Sequence, residues 1–184
     1  MPEHTLSIKQ SDGVVVLGKR GSGKTVMVRF LINHMPNYRF IILDVVGNLG
    51  IYKDARNCTY HLVNPHDKKK IDEICKEAIK TGNCMVVLDE ADRLEYTDNL
   101  SDMLNIGRNY GVGYIATARR TANIHKDYLA NQTHAFIFKH TYPRDVKVIA
   151  EWLDVDDKTL RYLADHKTLY FHDDELIMQF KASE

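Results

Sequence analysis

Five short apolar runs, at residues 13–17, 39–44, 84–89, 113–117 and 135–139, recur along the chain with longer amphipathic stretches between them. Runs of that length, rich in Val, Ile and Phe and bounded by Gly, Asn or charged residues, predict strands buried on both faces. Alternation disappears when helices cover both sides of a parallel sheet. The stretches at 24–34, 69–81, 99–110, 143–153 and 157–164 carry helical spacing, and Pro143 suits a first turn because its missing N–H is not needed there. The pattern predicts an α/β fold in which a mostly parallel sheet lies between layers of helix. The tail at 168–180 reads as two strand-like runs around Asp173 and Asp174, a hairpin closing one edge of the sheet. No repeat, low-complexity tract or Pro/Gly-rich linker interrupts the pattern, so one domain over 1–184 is expected.

Composition narrows the function classes. Hydrophobic residues make up 44% of 184 residues, enough for a sizeable core. Twenty-five basic residues balance twenty-five acidic ones, so any contact with nucleic acid must be local rather than driven by a global positive field. Cys58, Cys75 and Cys84 lack metal-ligand spacing, and their odd number favours reduced thiols inside a cell. The nine histidines show no metal spacing either, so no metal beyond magnesium is expected. No apolar run approaches the roughly 20 residues that span a bilayer, and Met1-Pro2-Glu3-His4 does not open a signal peptide. A soluble cytoplasmic protein without a transmembrane segment is the expectation.

The chemistry concentrates at two places. Gly18-Lys19-Arg20-Gly21-Ser22-Gly23-Lys24-Thr25 fits G-x-x-x-x-G-K-[ST], directly after a predicted strand and before a predicted helix that continues with Val26. Glycines at 18, 21 and 23 let the backbone turn and aim its N–H groups at phosphate oxygens, and the helix N-terminus adds partial positive charge. Lys24 is placed to reach the β- and γ-phosphates, and Thr25 to complete a magnesium shell that keeps several waters. Residues 18–26 are therefore the expected nucleotide-binding set, with Arg20 solvated within it.

The second place is Met85-Val86-Val87-Leu88-Asp89-Glu90, a strand that delivers two acids to the carboxyl edge of the sheet. Asp89 is expected to hold magnesium largely through water, and Glu90 to orient or deprotonate the attacking water. An acidic helix start after a strand is the bland alternative, and the phosphate loop weighs against it.

An acid following the magnesium Asp resembles the P-loop ATPases in which a strand is inserted between the loop strand and the carboxylate strand. That resemblance implies a RecA-like, additional-strand P-loop NTPase fold with sheet order 5-1-4-3-2, and it places the end of the inserted strand, from Thr117 to Arg120, toward the γ-phosphate. Gly107-Arg108-Asn109-Tyr110-Gly111-Val112-Gly113-Tyr114-Ile115-Ala116-Thr117-Ala118-Arg119-Arg120 resembles the FtsK/HerA superfamily of ring ATPases. Leu129-Ala130-Asn131-Gln132 before a strand, and Asp44-Val45-Val46-Gly47 closing another, match the same superfamily, so the likeness runs over 13–153. In three places the chain departs from it. The sensor Gln falls on Arg119, the following Pro on Thr121, and the acidic residue after Asp-x-x-Gly on Asn48.

A short member of this kind looks like the genome-packaging ATPases of tailless, internal-membrane icosahedral viruses, including archaeal turreted ones. The resemblance implies ATP and Mg2+ as cofactors, a homohexameric ring, double-stranded DNA as partner, and capsid or membrane-vertex proteins as anchors, in host cytoplasm or with the virion. It places Arg108 as the arginine that completes a neighbour's site, and a solvated helix-end arginine is the alternative. Arg119 and Arg120 are open to the roles of sensor in the same subunit or finger in the next. Lys68-Lys69-Lys70 and the loop 119–126 are the basic candidates for the DNA backbone. Two other readings are carried: an ATPase for conjugative or filamentous-virus DNA transfer, and a nucleotide-dependent switch that has lost turnover.

Overall fold

The computed structural model describes residues 6–181, with side chains through Ile177. In chain order its elements are β1 (Gly13–Leu17), α1 (Lys24–His34), β2 (Phe40–Asp44), β3 (Cys58–Leu62), α2 (Lys68–Thr81), β4 (Cys84–Leu88), α3 (Asp98–Ile106), β5 (Val112–Ala118), α4 (Lys126–Ala130), β6 (His134–Phe138), α5 (Pro143–Leu153), α6 (Asp157–Tyr162), β7 (Lys167–His172) and β8 (Glu175–Lys181). Among the described residues the eight strands form one sheet in the order β3-β2-β4-β5-β1-β6-β7-β8. The first six pair in parallel, and β7 and β8 join antiparallel.

The expected five-strand order is contained in this sheet as β6-β1-β5-β4-β2, with β5 inserted between the loop strand and the carboxylate strand. Both β1 and β4 are buried along their whole length, as continuous apolar runs require. The predicted hairpin is present as β7 and β8, turning at Asp173 and Asp174 with φ of 48° and 64°. Both residues adopt the left-handed conformation of a type I′ turn, which matches the twist of the flanking strands.

Three details differ from the expectation. Strand β3 is additional and lies at the edge beyond β2. Its Cys-Thr-Tyr-His-Leu run is only partly covered, so it carries no apolar signature. The helix expected over 99–110 stops at Ile106 and tightens into a 3-10 turn, Gly107–Tyr110, before Gly111 takes a φ of 69° and reverses the chain into β5. Helix α4 occupies a stretch where no helix was expected, and its five residues are too few for a period to show.

The sheet separates two apolar layers. Val14, Val16, Phe40, Ile42, Val87, Ile115 and Phe136 face α1 through Met27, Val28, Leu31 and Ile32. Val15, Leu17, Leu43, Val86, Leu88 and Ala116 face the other helices, including α2 through Ile71 and Cys75 and α5 through Val146 and Ile149. Burying a Val, Leu or Ile is worth about 1.5–3 kcal/mol. These two layers therefore fix the strand order that brings the ends of β1, β4 and β5 together.

Candidate nucleotide site

The phosphate loop starts where β1 ends, between its two neighbours. Gly18 N–H donates to Ala118 O at 3.2 Å, and Lys19 N–H donates to Lys139 O at 3.4 Å. Gly18 is obligatory on space, since a Cβ there would lie 2.5 Å from Ser22 Oγ and 2.6 Å from Phe138 Cβ. Gly21 and Gly23 sit at φ of 76° and 111°, where glycine alone is unstrained. Lys24 opens α1 and curls back over the loop, its Nζ donating to Gly18 O at 2.7 Å and Lys19 O at 3.1 Å. Burial pushes the Lys24 ammonium down to about 8, with Arg119 acting the same way and Asp92, Asp89 and Glu90 opposing. The first turn of α1 has neither a side-chain cap nor an acidic residue, so its N–H groups and dipole face the loop uncompensated.

Across β5, the end of β4 delivers the two carboxylates. Thr117, buried in β5, ties them together: its Oγ1 accepts from Glu90 N–H at 2.9 Å and donates to Asp89 Oδ1 at 2.9 Å. Glu90 takes a φ of 52°, a strained turn for a side chain with a Cβ, and Ala91 N–H returns to Thr117 O at 2.7 Å. Burial pushes the Asp89 carboxyl up to about 6, against the Thr117 hydrogen bond, with Asp44 and Glu90 adding to the rise. Asp44 spends both oxygens on its own loop, accepting from the amides of Val46, Gly47 and Leu49 and from Tyr60 Oη.

The arginines divide. Arg119 Nη2 reaches Glu90 Oε2 at 3.1 Å, beside Arg93 Nη1 at 2.7 Å, so Arg119 lies with the carboxylates of its own chain. Arg120 turns away: its Nε pairs with Asp145 Oδ2 at 3.0 Å and its guanidinium lies 3.8 Å over the Tyr142 ring. Arg108 lies at the opposite edge of the sheet, exposed in the turn that leads into β5, where it cannot meet its own phosphate loop. Arg20 is exposed at the loop tip.

Asp92 was not anticipated. Its two oxygens accept from Arg119 N–H at 3.3 Å and Arg120 N–H at 3.0 Å, fastening the end of β5 to the turn after β4. Burial raises its carboxyl above the usual range, against the opposing pull of these two amides. Arg93 and Asp145 were also missed. Each acts through a partner remote in sequence or in a loop, and only the spacing Asp89-Glu90-x-Asp92-Arg93 offered a hint of the first two.

The residues present fit a nucleotide with a hard cation. Asp89 Oδ2 and Ser22 Oγ are buried side-chain atoms without a hydrogen-bond partner, both at the carboxyl edge, and the space outside Gly21 holds no other atom within 4 Å of where a Cβ would be. Thr25 and Val26 stand in the first turn of α1, half-buried beside them. Among the described residues no cluster of three His, Cys, Asp or Glu side chains is placed to hold a metal. The donors of this chain that suit such a cation are the Asp89 carboxylate and the Thr25 hydroxyl.

Sequence comparison decides the family. Residues 14–136, from within β1 into β6, match the ATPase family associated with various cellular activities (AAA). The chain belongs to that family. No curated protein matches the sequence significantly. Among solved structures, the AAA domain superposes on the genome-packaging NTPase B204 of Sulfolobus turreted icosahedral virus 2 in complex with AMPPCP. That match has a TM-score of 0.78 at 16% identity and covers 94% of this chain and 98% of that one. It also resembles the ATPase 2 and 3 segment of EssC from Geobacillus thermodenitrificans, with a TM-score of 0.70 at 14% identity, covering 95% of this chain and 40% of that one. EccC from Thermomonospora curvata, in complex with a signal sequence peptide, gives 0.71 at 16%, covering 91% and 37%. At these identities the likeness is one of fold, and it agrees with the FtsK/HerA resemblance read from the sequence. No helix among the described residues is long and apolar enough to cross a membrane.

Proposed function

We propose that this AAA domain is an ATP-hydrolysing, Mg2+-dependent DNA translocase that works as a ring, in the manner of a viral genome-packaging motor. The observation that carries the hydrolytic part is Thr117. A single hydroxyl in the inserted strand joins the amide of Glu90 to Asp89 Oδ1, which holds both carboxylates at the edge where Lys24 and the glycine cradle lie. Phosphates then sit on the amides of the loop and the first turn of α1, with Lys24 moving its Nζ from the Gly18 and Lys19 carbonyls to the phosphate oxygens. A bound Mg2+ supplies charge neutralisation at the β- and γ-phosphates, and Thr25 and Asp89 Oδ2 are the residues that would hold it. Glu90 orients a water for in-line attack and takes its proton. Both guanidiniums contact Oε2, so Oε1 is the oxygen available to that water. Arg119, held on Glu90 Oε2, is the cis arginine for the charge that develops there.

Arg108 supports the ring. It cannot serve its own site, and it is flanked by Ile106 and Tyr110, whose exposures of 42% and 49% place two apolar side chains beside a cation on the surface. That setting suits an arginine inserted into the site of a second copy. Support for DNA is thinner. Lys68 and Lys69 at the start of α2 pair with Glu95 at 3.6 Å and Glu73 at 4.0 Å, so each already faces an acid. Arg119 and Arg120 are both engaged with acids. The packaging reading leans on the fold likeness to B204 and on the motif at 107–120.

A nucleotide switch without turnover is the second reading, favoured by the grip of two arginines on Glu90 Oε2. Phosphate release by purified protein, with and without duplex DNA, separates the two when wild type is compared with Lys24→Ala, Glu90→Gln and Arg108→Ala and the oligomer mass is measured. Hydrolysis that DNA stimulates and all three changes abolish is the expected result. Nucleotide that binds to a DNA-loaded oligomer without turnover would replace the motor with the switch.

A further inference from the structure

The catalytic carboxylates lie on one side of the phosphate loop, and that asymmetry directs the rest of the nucleotide. Asp89, Glu90 and Thr117 belong to the β4 and β5 side of β1. A γ-phosphate facing them leaves the sugar and base to depart on the other side, over the end of β6. What stands there is the turn between α6 and β7. Because β7 is antiparallel to β6, with Thr168 opposite Phe138, its first residues lie at the edge where β6 ends. Lys167 N–H closes the turn on Ala164 O at 3.1 Å. Asp165 ties the turn to the loop and to the end of β6, its Oδ1 taking Lys19 Nζ at 3.4 Å and Lys139 Nζ at 3.6 Å. His166 follows at a φ of 61°, and its Nδ1 lies 3.8 Å from where a Cβ on Gly23 would be. The Phe138 ring is packed under the same glycine.

We propose that His166 is a base-contacting residue of the nucleotide site: its imidazole, exposed beside Gly23 on the departure side of the loop, forms a face on which a purine or pyrimidine ring stacks. The left-handed backbone lifts this side chain out of the turn, and Asp165, between Lys19 of the loop and Lys139 just after β6, ties the turn to both, so the ring is presented rather than free. Stacking of a base on an aromatic side chain reads every base through its π-face and confers affinity without strong discrimination among bases. The proposal rests on the reading of the loop as an ATP site.

The test compares MgATP with inorganic triphosphate, which has the phosphates and lacks the base and sugar, by titration calorimetry on wild type, His166→Asn and His166→Phe. Asn tolerates the left-handed backbone, and Phe keeps a stacking face. For His166→Asn we expect MgATP affinity to fall about tenfold while triphosphate affinity stays within about twofold. His166→Phe is expected to hold MgATP near the wild-type value. Equal loss of both ligands would make His166 a support of the loop, and no loss of either would remove it from the site. Either outcome overturns the proposal. Failure of wild type to bind MgATP or triphosphate would instead sink the ATP reading beneath it, and a wild type that binds triphosphate as tightly as MgATP would show that no base contact exists.

Discussion

At Gly23 the backbone stands at a φ of 111°, and a Cβ would meet Phe138 Cε1 at 3.2 Å, so Gly23→Ala adds both strain and a clash at the point where the loop turns into α1. We expect nucleotide affinity to fall at least tenfold, with about 1–3 kcal/mol lost from folding, as measured by ATP titration and by denaturant unfolding. Asp12 offers a residue-scale prediction on pH. Burial alone would raise its carboxyl, yet the hydrogen bond and charge of His134, at 3.1 Å, and the Lys9 amide outweigh that and hold it below 3.8. A carboxylate depressed in the folded state contributes stability above its unfolded pKa, and the contribution disappears as pH falls through the folded value. Unfolding free energy should therefore drop more steeply below about pH 4 in wild type than in Asp12→Asn, and parallel pH profiles for the two would contradict it. The loop glycines and the pair Asp89-Glu90 were legible at this scale because their spacing is local. Asp92 was not, because its role depends on amides that lie beyond β5.

Among the elements, the junction that matters joins the turn after β4 to the end of β5. Asp92 accepts both amides of Arg119 and Arg120, Asp145 of α5 accepts Ala122 N–H at 2.9 Å, and Arg120 lies between Asp145 and Tyr142. The end of the inserted strand is thereby held from both sides, which keeps Arg119 on Glu90. Asp92→Ala removes two charge-assisted hydrogen bonds, each worth about 1.5–3 kcal/mol. The amides of Arg119 and Arg120 should then exchange with solvent at least tenfold faster while those of β1 keep their protection, and ATP turnover should fall by about one to two orders of magnitude. Unchanged exchange at 119 and 120 would show that the strand end does not need this anchor. The strands that cross the centre of the sheet were readable from sequence because burial on both faces makes them continuous apolar runs. Strand β3 was not, since an edge strand exposed on one side has no such run, with Leu62 67% exposed.

For the whole molecule, the distance of Arg108 from its own phosphate loop yields a prediction about assembly. Arg108→Ala subunits retain Glu90, and Glu90→Gln subunits retain Arg108, so under the proposed trans role each lacks what the other supplies. Mixed in equal amounts after dissociation and reassembly, two inactive variants should regain hydrolysis, with about a quarter of the sites in a randomly assembled ring completed by the right neighbour. Activity that stays at zero in a verified mixed ring would remove Arg108 from the trans role.

What the sequence by itself determined is the position of short segments in the fold. The glycine-lysine-threonine spacing, the strand ending in two acids and the α/β rhythm each depend on neighbours within a few residues, where backbone geometry and covalent spacing leave little freedom. What the tertiary structure alone decided is which side chains from distant segments share an oxygen or an edge. The choice of Arg119 rather than Arg120 for Glu90 is of this kind, as are the exile of Arg108 to the far edge, the grip of Asp92 and the presence of Asp165 and His166 beside the phosphate loop. The physical reason is the order of the sheet, which is set by burial of whole strand faces summed over the core. That sum places residues far apart in sequence within a hydrogen bond of one another, and no local pattern carries it.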